Sequence, residues 1–273
     1  MKNKEVLFAA LLGVLGWCCV SCESNEPSTT GGSSTYVAKG FSVSANKQVI
    51  FSPGNLQYQA STDTWRFANH QYDYVGKLNG AISPTNENWI DLFGWGTGNN
   101  PTNVSENNAD YATFVDWGTN KIGKDKANTW RTLTLDEWDY LLHKRISAAT
   151  LRGIATVNNI HGLILLPDDF TLPEDMTFVA GGGFSSGLEW KLNVYTTYEW
   201  EKMEKAGAVF LPASGSRLGS SIGDVQSYCN YWSATPSDSN YAYYLLFDSF
   251  GAELVGYFFC RYYGLAVRLV QDL

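Results

Sequence analysis

Histidine and charge are scarce in this chain: it has three histidines in 273 residues, and Asp, Glu, Lys and Arg together make up only 17% of it. His70, His143 and His161 lie far apart and beside no Ser or Cys motif, which leaves a nucleophile without the base that would activate it. Basic clusters are lacking as well, and the formal net charge is −8. That sign argues against nucleic acid and against direct adsorption to anionic lipid. A membrane-spanning run is missing too, since the apolar stretch from Val6 to Trp17 is too short to cross a bilayer. No linker-like segment divides residues 36–273, so one large domain is expected there.

What that short apolar stretch does supply is an address. Lys2 and Lys4 precede it and small residues follow it, the order of a secretory signal peptide over residues 1–21. Cys19-Val20-Ser21-Cys22 resembles the lipobox of bacterial lipoproteins, which implies cleavage before Cys22 and acylation of its thiol. Acyl chains hold a protein on a bilayer at about 0.8 kcal/mol per buried methylene. Residues 22–35 are polar and without apolar periodicity, hence a flexible tether. Glu23 and Glu26 resemble the acidic residues after the acylated cysteine in surface-exported lipoproteins of Bacteroidetes-type bacteria, so the outer face of the outer membrane is the expected location.

Aromatics are plentiful at 15% of the chain, as in β-rich envelope proteins. Short aromatic and β-branched runs broken by Gly, Ser, Asn and Pro read as strands at Phe41–Ser44, Lys47–Phe51, Leu56–Gln59, Trp65–Ala68 and Gly162–Pro167. The same grammar recurs from Ala208 to Val270. There Tyr241, Tyr243, Leu245 and Phe247 define one wholly apolar face, and the other face ends in Asp248. Two helices open with capping boxes: Thr134 with Glu137, and Thr196 with Glu199. Leu133 with Trp138, and Tyr195 with Trp200, are the matching hydrophobic staples. The first helix should bury Trp138, Leu141, Leu142 and Ile146; the second should bury Trp200 and Met203 and stop at Gly207. Residues 76–128 read as one long irregular loop, the kind of segment that often carries function, and residues 178–187 as a glycine-rich loop.

A family resemblance joins these pieces. Trp130-Arg-Thr-Leu-Thr-Leu-Asp-Glu-Trp-Asp-Tyr-Leu141 is similar to a helix start of formylglycine-generating enzymes and other C-type-lectin-like proteins. Phe210-Leu-Pro-Ala-Ser-Gly-Ser-Arg217, Tyr231-Trp-Ser-Ala-Thr235, Arg261 and Gly264-Leu-Ala-Val-Arg-Leu-Val270 resemble the Fibrobacter succinogenes major paralogous domain. Phe51–Tyr58 and Trp89–Gly96 are similar to segments of Bacteroidetes-type surface lipoproteins. The resemblance implies a C-type-lectin-like α+β fold, two capped helices packed on a small twisted antiparallel sheet with long loops. It implies no mechanism, because one fold hosts unrelated functions.

Catalysis and metal binding find little support in the residues. Cys229 and Cys260 are too widely spaced for the redox or copper-binding cysteine pair of formylglycine-generating enzymes; they read either as a disulfide worth about 3 to 4 kcal/mol or as two buried thiols. Asp168, Asp169, Glu174 and Asp175 are adjacent acids in a proline-bounded loop, with no glycosidase motif around them. The Glu-Pro-Asn, Gln-Pro-Asp and Trp-Asn-Asp motifs of calcium-dependent lectins are absent, and Asp110, Asp116 and Asp125 match no calcium-loop spacing. Arg217, Arg261 and Arg268 are read as braces rather than anion ligands. No cofactor is expected. A non-catalytic protein that binds a glycan or protein partner through the long loop fits best, with Trp89, Trp95, Tyr111 and Trp117 as candidate stacking platforms. A polysaccharide-acting enzyme and a structural envelope component are the alternatives.

Overall fold

The structure, a computed structural model, describes residues 39–181, 189–249, 251–253 and 258–273. The expected signal peptide, Cys22, the tether and residues 182–187 of the glycine-rich loop lie outside them. The architecture is α+β and strand-rich, with few helices and several small, mainly antiparallel sheets. In chain order, β1 (Phe41–Ser44) and β2 (Lys47–Phe51) form a hairpin, followed by β3 (Leu56–Gln59), β4 (Thr64–Phe67) and β5 (Trp89–Ile90). Helix α1 (Leu135–Asp139) precedes β6 (Arg152–Val157), β7 (Ile160–Leu165), β8 (Val194–Tyr195), α2 (Thr197–Lys205) and β9 (Val209–Pro212). The remaining strands are β10 (Ser216–Leu218), β11 (Ser221–Gly223), β12 (Tyr228–Pro236), β13 (Tyr241–Asp248), β14 (Gly251–Glu253), β15 (Phe258–Cys260) and β16 (Val270–Asp272).

Pairing gives three-stranded sheets β1-β2-β16 and β4-β3-β5, and a four-stranded sheet β8-β6-β7-β9 whose only parallel pair is β6 with β8. In the last large sheet β12 flanks β13 on one side, and β14 and β15 share the other. The apolar-face expectation for β13 is corrected. Tyr241 and Tyr243 are only half-buried, while Ala242 and Tyr244 are buried in one core and Leu245 and Phe247 in another. Both faces of this strand are therefore covered.

Both helix starts are as expected. Thr134 and Thr196 accept the N3 backbone N–H, and Glu137 and Glu199 return to the cap N–H. The helices do not, however, share one sheet. Helix α1 packs Trp138 against Phe51 and the β1–β2 hairpin, whereas α2 puts Trp200 and Met203 on the β6–β7–β9 sheet. Gly207 ends α2 with φ of 100°, in the left-handed region where glycine pays no Cβ penalty. Ile146 departs from its expected place: it is 90% exposed. After α1 the chain passes through a π-turn, Tyr140–Lys144, which shifts the helical phase so that Arg145 turns inward instead. Its guanidinium donates to the Leu141 carbonyl and to Asp168 at 3.0 Å. Asp168, one of the acids of the proline-bounded loop, thus closes a part-buried ion pair.

The region 76–128 is irregular but packed. Its close fit is sharpest at Gly118, where a Cβ would lie 1.8 Å from the Trp130 carbonyl oxygen and 2.5 Å from its carbon. Both atoms are backbone, so no rotamer change relieves the clash. Gly118→Ala is expected to lower stability by at least about 2 kcal/mol in urea unfolding; an unchanged midpoint would mean that this segment is not packed against Trp130.

Candidate functional site

Three of the four expected stacking platforms are structural. Trp95, Tyr111 and Trp117 are 2%, 2% and 0% exposed. Trp95 donates its indole N–H to the Ser233 carbonyl, and the Tyr111 hydroxyl donates to the Ser105 carbonyl. Trp117 sits among Phe93 and Phe114. Their rings fill the core of the long loop because the loop has little regular structure with which to bury itself. Trp89 is the exception, half-buried on β5.

The surroundings of Trp89 follow from strand alternation. On β3, Leu56 and Tyr58 point into the core, so Gln57 and Gln59 take the outer face; on β4, Trp65 points inward and Arg66 outward. The register sets Gln57 opposite Arg66 and Gln59 opposite Trp89, which gathers all four on one outer surface. The Arg66 guanidinium lies 3.8 Å from the centre of the Trp89 ring, and its Nε donates to Gln57 Oε1 at 2.9 Å. Burial lowers the pKa of this guanidinium, opposed in part by the charge of Asp73; an arginine starts so high that it stays cationic at physiological pH. Together with Asp73, Tyr74, Val75, Leu78, Glu87 and Asn88 these residues line a cleft of about 370 Å³.

One wall of the cleft is a 3-10 segment, Gly76–Ala81, pinned from behind by Asp91. This carboxylate is fully buried and accepts the Val75 N–H and the Asn79 side-chain N–H, both at 2.8 Å. Asn79 in turn accepts the backbone N–H groups of Asp91 and Leu92. No cation pairs with Asp91 among the described residues, and burial pushes its pKa up to about 6 against the hydrogen bonds that oppose the shift.

The other expected residues are accounted for as follows. Cys260 is a free thiol. The disulfide is corrected by backbone register: Cys229 pairs with Phe247 and Cys260 with Tyr241, on opposite sides of β13 and six residues apart along it. Six residues span about 20 Å, whereas bridged cysteines need Cα atoms within about 7 Å. His143 closes the last helical turn against Asp139, His161 stacks on Trp190, and His70 contacts Asp73. Asp116 caps Gly118 and accepts the Thr132 N–H, Asp125 accepts the Trp130 indole N–H, and Asp110 accepts the Ser105 hydroxyl. Arg217 and Arg261 donate to loop carbonyls, those of Leu92, Gly219, Tyr111 and Ala112 among them. Arg268 donates to the side-chain oxygens of Asn55 and Gln71. The chain matches no family model, no curated protein and no solved structure in comparison with each.

The elevated pKa of Asp91 has a definite pH signature. Its folded value of about 6 exceeds the unfolded 3.8, so the folded state holds the proton more tightly. The stability it contributes is complete below about pH 4 and is lost as pH rises through 6, by roughly 3 kcal/mol. Glu137, Asp168 and Asp272 work in the opposite sense: hydrogen bonds and ion pairs outweigh burial and lower their pKa values, so their stabilisation is lost only in stronger acid. In urea unfolding between about pH 4 and 7, wild type is expected to lose stability relative to the non-titrating Asp91→Asn as pH rises; a constant difference would assign Asp91 an ordinary titration.

Proposed function

We propose that this chain is a non-catalytic lipoprotein of the outer-membrane surface, anchored through acylated Cys22, whose folded domain binds a glycan in the cleft at Trp89. The observation that carries the binding reading is the half-buried Trp89 ring set among side-chain amides, carboxylates and a stacked arginine. An aromatic face beside a few polar groups is the combination that suits a sugar, which offers an apolar C–H face and a rim of hydroxyls. Support for the anchor comes from the charged start, short apolar run and Ser21-Cys22 exit of the N-terminus. We read the α+β architecture as C-type-lectin-like, on the strength of its two boxed helix starts and its C-terminal strand series.

Glycan binding by the detergent-solubilised protein tests the site. Trp89→Ala is expected to weaken retention in glycan-containing gels at least about tenfold, while Trp95→Ala acts only by destabilising the fold. Equal retention of Trp89→Ala and wild type would remove the cleft from consideration. For the anchor, Cys22→Ser is expected to abolish incorporation of labelled fatty acid and to release the protein from the membrane fraction. Labelling that survives the substitution would assign the lipid elsewhere.

A second reading has one foothold. Asp73 and Glu87 both line the cleft, and a pair of carboxylates flanking a sugar is the equipment of a glycosidase. New reducing ends that appear from a bound polysaccharide, and disappear in Asp73→Asn and Glu87→Gln, would favour this enzyme over the binding protein.

A further inference from the structure

The outer surface that carries the cleft does not stop at β4. Ile122 forms a parallel bridge with Trp65, and both side chains enter the same core. Alternation then turns Lys121 toward the outer surface, on the side where Arg66 lies. Gly123, with φ of 56°, turns the chain back, and Lys124 and Lys126 follow in exposed positions. Because Ile122, Gly123 and Asp125 interrupt the three lysines, they form no basic run in the sequence. The fold nevertheless lays this segment along the outer edge of β4, where the Gly123 N–H also donates to the Trp65 carbonyl. None of the three forms an ion pair among the described residues. Asp125, which accepts the Trp130 indole N–H, offsets one of the three charges, so residues 121–126 carry a formal net charge of +2.

Arg66 lies on the same surface with an unused edge. Only its Nε is engaged; its Nη groups hydrogen-bond to nothing among the described residues. The guanidinium carbon lies 3.8 Å from the centre of the Trp89 ring, which with the Gln57 bond restrains the group and leaves its Nη edge open to a carboxylate or sulfate. In a chain of net charge −8, a guanidinium and three lysines on one surface, none of them in an ion pair among the described residues, are an unusual concentration of positive charge.

Building on the glycan reading above, we propose that the ligand is an acidic polysaccharide, carrying carboxylate or sulfate groups, that runs from Trp89 across Arg66 to Lys121 and Lys124. At about 4.8 Å per strand spacing, the path from β5 over β3 and β4 to Ile122 covers about 14 Å, the reach of a short oligosaccharide. Asp73 and Glu87 stand at the cleft and repel acid groups there. That gives the ligand a polarity, hydroxyls toward these two carboxylates and acid groups toward Arg66 and the lysines.

The test measures retention of the detergent-solubilised full-length protein by polygalacturonate, alginate, chondroitin sulfate and dextran sulfate, and by neutral xylan and laminarin, at about 0.05 and about 0.5 M salt. The expected result is retention by acidic polymers alone, weakened at least about tenfold by Arg66→Met and severalfold by Lys121→Gln with Lys124→Gln, and reduced by salt. Retention by the polyuronates alone identifies the carboxylate; retention by sulfated polymers as well identifies charge as the shared feature. Arg66→Lys, which keeps the charge but loses the planar fork, should fall between wild type and Arg66→Met. Unfolding midpoints of every variant separate lost binding from lost folding. Retention by neutral polymers that depends on Trp89 but not on Arg66 or the lysines would overturn the acidic ligand and leave the glycan site standing. No retention by any polymer would overturn both. Retention by dextran sulfate that none of the substitutions alters would reduce the effect to adventitious charge and overturn the proposal.

Discussion

Residues 265–270 have to be buried on both faces at once, and much of the molecule is arranged to satisfy that requirement. Leu265, Val267 and Leu269 enter one core, and Ala266 and Val270 enter another. A segment with this pattern is stable only as a wall between two apolar layers. It is tied on both sides by backbone pairs rather than by one continuous sheet: Leu265 with Phe93, Ala266 with Tyr231, Val270 with Arg131. The one polar member, Arg268, is 1% exposed and forms no ion pair among the described residues. Burial lowers its pKa to about 10. Its Nη groups donate to Asn55 and to Gln71 Oε1, which also accepts the Phe210 N–H, while the Gln71 amide donates to Glu204 and the Ala208 carbonyl. One buried glutamine thereby links the wall to β9 and to the end of α2.

The wall also determines where a site can form. Leu56 donates its N–H to the Val267 carbonyl, so β3 is fixed to the wall and its inner residues are committed to the core. The long 76–128 segment is drawn in the same way, with Trp95, Tyr111 and Trp117 spent on filling volume. What remains for a site is the opposite face of β3, β4 and β5, where Gln57 is covered while Gln59, Arg66 and Trp89 are half-buried. Groups on strands anchored this firmly keep their geometry, which is the property a recognition surface needs and a free loop lacks.

Legibility in the sequence followed the range of the interaction. The capping boxes at Thr134 and Thr196 were readable because every participant lies within four residues. Ile146 was misplaced because a π-turn, invisible to a 3.6-residue period, altered the phase just before it. The disulfide failed for a related reason: loop length allows closure, but strand register places the two cysteines far apart. Residue type could not separate Trp89 from Trp95. The neighbouring pattern could have done so, since Gln57 and Gln59 alternate with Leu56 and Tyr58, and Arg66 sits between Trp65 and Phe67. Polar residues at every second position of paired strands mark the face turned away from the apolar core. Asp91 gave a weaker signal of the same kind, a lone acid between Ile90 and Leu92.

The stacked pair at the centre of that surface explains why arginine suits the position. An indole half-buried in a strand cannot turn to meet a ligand, and an ammonium group above it would be a point charge free to swing. The guanidinium sits over the ring, keeps its Nε on Gln57, and leaves its Nη edge unengaged among the described residues. The ordering entropy of that edge is then met on folding and not on binding. The wall behind it is held by Asp91, a carboxylate that pays for burial with a raised pKa instead of taking a cation. Had a cation been placed there, the cleft would carry positive charge on its inner side as well. Confining the positive groups to Arg66 and the Lys121 edge gives the surface a direction along which a charged chain can be read.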